Sequence, residues 1–310
     1  MTNSTDSTTR TSSRSAPTAA ALSAAGSPAG STTSPTGPGV PWRHVALFTV
    51  LALGLAWIAA LPLYLGGGLA DPALLIWAGV MMTTPAIAGI VVTARSCPPG
   101  TRQRVLGMRG GLRWRRTTSI AVLAAAAGTA LSATTLLLAA ALGMADLRVG
   151  PDTASSLLLV PVLSVGIGLT AVGEELGWRG YLHTALRPLG PLRSQLVSGV
   201  LWGVWHAPLL LLGYNYATTS PVSIPLMVVS TVLMGTLLAW LREVTGTMWA
   251  GALAHGALNS STSFLVAAFV APEQQNPWIT VLGWPGWIVL AAVVALLTLA
   301  GGFRGWTRRR

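Results

Sequence analysis

Gly173-Glu174-Glu175-Leu176-Gly177-Trp178-Arg179-Gly180 closes a run of twenty residues, Ala154 to Gly173, that is almost wholly apolar. Twenty apolar residues are about what a helix needs to cross a bilayer. Two adjacent carboxylates at the end of such a helix are costly in hydrocarbon, so they are expected to face a protein cavity and to have a task there. The chain has only eight acidic residues in 310, which makes the pair more conspicuous.

Outward from this stretch the composition agrees. The chain is 52% hydrophobic and 9% charged, with a mean hydropathy of +0.63. Soluble domains carry about a quarter charged residues. The fold class expected is all-α: a polytopic membrane helix bundle of about eight transmembrane helices with an intramembrane active site. The spans fall at about 44–65, 73–94, 117–143, 154–173, 194–212, 222–241, 247–270 and 279–301. Span four continues as a more polar helix to Leu186, where Pro188 and Gly190 stop it.

All nineteen basic residues are arginine, and the net charge is +11. A nucleic-acid partner is not expected, because the arginines lie between apolar spans, as the positive-inside rule requires. With the N-terminus cytoplasmic, only Arg148 falls on the outer side, together with Asp71, Asp146, Asp152 and Glu273. The expected location is the cell membrane, multi-pass, with both termini cytoplasmic. The arginine-rich segment 95–116 then lies along anionic headgroups of the lipid bilayer. Residues 1–40, rich in Ser, Thr, Ala, Pro and Gly, read as a disordered cytoplasmic tail. They show no apolar stretch of signal-peptide type near Met1. The helical domain is expected over 41–303, and 304–310 reads as a basic cytoplasmic tail. Cys97 is the single cysteine, which excludes an intrachain disulfide and a cysteine metal site.

Two further spans carry polar stripes. In span five, Ser198, Trp202 and His206 are spaced by four, and Pro208 should bend the helix just beyond. In span seven, Asn259 follows His255 by one turn. Three stripes in one bundle have to meet, because unpaired they are expensive in lipid. Hydrogen-bonding glue alone is a weak reason to keep two carboxylates and two imidazoles there, since such bonds average below about 1 kcal/mol. His44, beside Arg43, reads as interfacial, and His183 as solvated or interfacial. Gly173/Gly177 and Gly199/Gly203 are spaced for close helix approach.

Glu and His together can hold and deprotonate a water. His with Asn can donate to a developing oxyanion. That set suits peptide hydrolysis without a covalent intermediate. Glu174, His206 and His255 are also a legitimate zinc ligand set, so a divalent metal is the alternative. A proton- or ion-coupled transporter and a catalytically idle immunity scaffold are the other readings. The first half of the chain shows no repeat of the polar stripes, which weighs against a transporter.

The ordered motifs Glu174-Glu175-x-x-Trp178-Arg179-Gly180, Trp202-x-x-x-His206-Ala207-Pro208 and His255-x-x-x-Asn259 resemble the type 2 CAAX prenyl endopeptidase and bacteriocin-processing (CPBP, Abi) membrane proteins. The resemblance covers about 157–263. It implies an eight-helix intramembrane peptidase in which Glu174 is general base with His206, while His255 and Asn259 stabilise the oxyanion. Glu175 and Arg179 support the site, and no cofactor is implied. Trp202 stands where the family more often has Phe, which alters cavity shape. The arginine-only, Ala- and Gly-rich composition is typical of a GC-rich bacterial genome. The expected partner is therefore a membrane-associated, optionally lipidated, peptide or protein substrate, as in bacteriocin maturation or self-immunity.

Overall fold

The computed structural model describes residues 39–308 except 111 and 152. The expected tail over 1–40 lies almost wholly outside the described residues, as do Asp152, Arg309 and Arg310. Among the described residues the secondary structure is helical, apart from one isolated antiparallel bridge between Leu147 and Val270. Eight main helices stand where the apolar runs put them. They are α1 (Trp42–Leu65), α2 (Leu74–Ser96), α3 (Trp114–Ala141), α4 (Thr153–Glu175), α5 (Pro191–Trp205), α6 (Ser223–Thr245), α7 (Trp249–Phe269) and α8 (Trp284–Leu299).

The expected all-α bundle is what forms, but the count of eight crossings is not confirmed. Six stretches among the described residues are long and apolar enough to cross a membrane, and neither α5 nor α7 is one of them. The reasons are local. α5 is 15 residues long and stops at Trp205. Pro208 has no N–H to continue the ladder, and a separate turn, Ala207–Leu210, follows. α7 has the length, 21 residues, but it carries His255, Asn259, Ser260, Ser261, Thr262 and Ser263.

In lipid, helices gain little from apolar burial against one another, so close packing and hydrogen bonds must hold the bundle. α7 packs along both α3 and α4, α5 along α6, and α2 along α1 and α4. Glycine sets these approaches. A Cβ on Gly256 of α7 would meet the Gly168 backbone of α4 and lie 2.6 Å from the Ser164 carbonyl oxygen. The two glycine pairs read from the sequence are both used. Gly173 and Gly177 face Met82 and Pro85 of α2, and Gly199 and Gly203 face Val232 and Val228 of α6. Hydroxyls tie the same seams: Ser164 to Ser260 at 2.8 Å, Ser132 to Thr262 at 3.1 Å, and Thr231 donating to the Gly199 carbonyl at 2.8 Å.

α4 does not stop at the carboxylate pair. It runs on as a π-helix, Leu176–Leu182, then an α-turn, His183–Leu186, and a 3-10 turn, Arg187–Leu189. Gly190, at φ 80°, turns the chain into α5. The continuation to Leu186 and the stop at Pro188 and Gly190 are as the sequence predicts. The π-helix is not legible there, and such segments gather at functional sites. All seven of its residues are buried. Trp178 and Tyr181 project from it onto Phe48 of α1, with ring centroids 5.4 and 5.3 Å apart. Gly180 lets it approach the Leu106 carbonyl, which a Cβ would meet at 2.5 Å.

Candidate active site

Adjacent residues of a helix point about 100° apart, and the carboxylate pair divides accordingly. Glu174 lines a cavity of about 450 Å³ bordered by residues of α2, α4, α5, α6, α7 and α8. Glu175, completely buried, turns away from that cavity into the protein. One turn further on, Arg179 donates from Nη1 to Glu175 Oε1 at 2.9 Å. The same oxygen lies 3.0 Å from Nδ1 of His255 on α7. The pair is therefore bridged across two helices: one carboxylate oxygen holds a guanidinium and an imidazole together. Burying such charges is tolerable only because they meet each other.

Of the stripe Ser198, Trp202, His206, Trp202 on α5 and His206 just past its end reach the cavity, and Trp202 is the centre of their contacts. The indole Nε1 donates to Glu174 Oε2 at 2.7 Å. The Trp202 carbonyl oxygen lies 2.8 Å from His206 Nδ1. A carbonyl only accepts, so Nδ1 carries the proton and Nε2 of the neutral ring is left as the acceptor. The Arg179 guanidinium sits over the indole face at 4.0 Å, and the His255 ring meets it edge-on with centroids 5.3 Å apart. Trp205 closes the other side of His206 at 4.8 Å and donates to Thr84 Oγ1 at 3.0 Å.

Glu174, Trp202, His206, His255 and Asn259 thus share one cavity wall. Asn259 lies one turn beyond His255 and is only partly buried. The rest of the lining is largely apolar, including Leu75, Met82, Ile167, Met227, Met234 and Leu290. Ser198 is buried and is not part of the lining. A pocket of this make-up has a polar wall that can hold water and an apolar wall that can hold side chains or a hydrocarbon chain. Among the described residues, no three His, Cys, Asp or Glu side chains are grouped as metal ligands. Glu174, His206 and His255 share the cavity without forming such a set, and one oxygen of Glu174 is taken by the Trp202 N–H.

A second polar cluster lies at the end of the same helical stretch. His183 is buried, not solvated or interfacial as its place in the sequence suggests. Its Nε2 is 2.9 Å from Glu243 Oε1. Arg187 also donates to Glu243, from Nε at 2.9 Å and Nη2 at 3.2 Å. Trp306, from the segment read as a basic tail, packs edge-on to the His183 ring at 4.8 Å. It exchanges hydrogen bonds with Arg187: the indole donates to the Arg187 carbonyl at 3.2 Å and Arg187 Nη2 donates to the Trp306 carbonyl at 2.8 Å. Part of that segment is therefore docked on the two turns that follow the π-helix. The available signal was the i, i+4 spacing of His183 and Arg187 with Glu243 at the end of a span. His44 is exposed at the start of α1.

Fold and centre together define a multi-pass helical membrane protein with a buried carboxylate–imidazole site. Comparison with known proteins carries this further. Residues 154–261 match the family model for type II CAAX prenyl endopeptidase Rce1-like proteins. A 58-residue stretch is 40% identical to the CAAX prenyl protease 2 of Methanococcus maripaludis, covering 18% of this chain and 21% of that protein. The chain thus spans about a fifth of the length of the curated relative it matches. These matches show that the segment 154–261 is similar to CAAX prenyl endopeptidases, in agreement with the resemblance of the three motifs. Glu174, Glu175, Arg179, Trp202, His206, His255 and Asn259 all fall within that segment.

Proposed function

We propose that the protein is an intramembrane endopeptidase that hydrolyses a peptide bond of a membrane-associated, optionally lipidated, peptide or protein. One observation carries the reading: Glu174, His206, His255 and Asn259, brought from three helices, line one largely apolar cavity. Glu174 Oε2 is anchored by Trp202, which leaves Oε1 to take a proton from water. His206, with Nδ1 committed to a carbonyl, offers Nε2 to the same water as acceptor. The two hold and activate the nucleophile. Attack on the scissile carbonyl puts negative charge on its oxygen. Asn259, through its amide N–H groups, and His255, through Nε2 in its doubly protonated form, donate to that oxygen. Glu175 and Arg179 act one step removed, by fixing the His255 ring. The proton taken by the base is passed to the leaving amine, so no covalent intermediate is required.

This mechanism needs no metal, and elemental analysis of purified, active protein tests that directly. The cell membrane is the proposed location, with both termini cytoplasmic. The protein assayed on a quenched fluorescent lipidated peptide is expected to lose at least about 10²-fold in turnover on Glu174→Ala. Undiminished turnover in that variant would refute Glu174 as base.

A further inference from the structure

Trp202 does more than shape the cavity. It is 1% exposed, and three separate parts of it engage three polar members of the site. The indole N–H donates to Glu174 at 2.7 Å. The backbone oxygen fixes the His206 tautomer at 2.8 Å. The ring face lies under Arg179 at 4.0 Å. Only the first of these depends on the residue's being tryptophan. Any residue supplies the carbonyl, and phenylalanine supplies a ring face.

The N–H is a donor with no acceptor capacity, so its partner oxygen must present a lone pair. A short donor to a carboxylate belongs to the stronger class of hydrogen bond. It fixes one oxygen of Glu174 and so selects the other as the atom that receives the proton. It also replaces one of the hydrogen bonds that water would give the carboxylate, in a cavity whose lining is largely apolar.

We propose that Trp202 is a positioning residue for Glu174, holding the base oriented through its indole N–H. The proposal rests on the peptidase reading for its kinetic consequence, but the contact can be tested without it. The informative variant is Trp202→Phe, which keeps the carbonyl and a ring face and removes the donor. On the fluorescent lipidated peptide, kcat is expected to fall about 10- to 100-fold, as for loss of a hydrogen bond to a charged group, with KM within about two-fold of wild type. A cavity-shaping role alone would raise KM and leave kcat in place, and that result overturns the proposal.

The second arm reads the contact itself. Full-length protein labelled with ¹⁵N-indole tryptophan in lipid nanodiscs gives the Trp202 N–H resonance as the one missing from the Trp202→Phe spectrum. Glu174→Ala is expected to shift that resonance upfield in the proton dimension, as a carboxylate acceptor is removed. An unmoved resonance overturns the proposal, whatever the kinetics. If the wild type cleaves nothing, the peptidase reading fails, and the spectra still decide whether Trp202 holds Glu174.

Discussion

Replacing Arg179 by Met removes a guanidinium from a site where nothing can replace it. Arg179 and Glu175 are 2% and 0% exposed and meet at 2.9 Å. At that separation an effective dielectric constant of about 20 gives roughly 6 kcal/mol of attraction. Much of this is offset by the desolvation of both groups, so the pair as a whole is close to neutral for stability. The variant, however, keeps the desolvation of Glu175 and loses the attraction. Breaking one partner of a buried pair typically costs about 3–5 kcal/mol. The contact of the guanidinium with the Trp202 face adds about 1–2 kcal/mol when desolvated. Arg179→Met is therefore expected to destabilise the protein by about 4–7 kcal/mol. Glu175→Gln/Arg179→Met should recover at least half of that, because the carboxylate that Arg179 offsets is removed with it. Reversible unfolding in mixed micelles, with helicity as the signal, measures all three variants. A single-variant loss below about 1 kcal/mol, or a double variant worse than Arg179→Met, would refute the bridged-pair account.

The other expectations are more local. Gly177→Ala forces a Cβ into Pro85 of α2 and should cost about 1–3 kcal/mol. Gly79→Ala, where a Cβ meets nothing within 4 Å, should stay within about 0.5 kcal/mol in the same unfolding assay. Trp306→Ala empties a site that is 3% exposed and removes the donor to the Arg187 carbonyl. A loss of about 3 kcal/mol is expected, read as a lowered melting midpoint. Asn259→Ala should lower kcat by about 10²-fold with little change in KM, since its donor is needed only as charge develops on the substrate oxygen.

The parts of the molecule that periodicity and solvent dictate were readable in the sequence. Eight apolar runs became eight helices, and the i, i+4 spacings of His206 with Trp202 and of Asn259 with His255 placed those residues on common faces. Both glycine pairs became helix contacts, because a missing Cβ is as visible in sequence as in space. The shortfall lies where the backbone departs from regular geometry or the partner is distant in sequence. A π-helix has no residue signature, so the path from Glu175 to His183 could not be traced. His183 looked solvated because its partners, Glu243 and Trp306, come from 60 and more than 100 positions further along. Trp202 was legible as a cavity wall, but its hydrogen bond to Glu174 depends on how α4 and α5 face each other. The crossing count also exceeded the six stretches that qualify, since a short broken helix and a polar one read as spans when only their apolar residues are counted. Which carboxylate faces the cavity was likewise open until the rotation of α4 was known: Glu174 does and Glu175 does not.

The most direct test of the account compares the protein termini present in cell membranes carrying the wild-type protein with those carrying Glu174→Ala, matched for abundance. Mass spectrometry of terminal peptides should find a set of new ends on membrane-associated proteins with the wild type and none of that set with the variant. Identical terminal profiles, with both proteins folded and equally abundant, would contradict the claim that this cavity cuts peptide bonds.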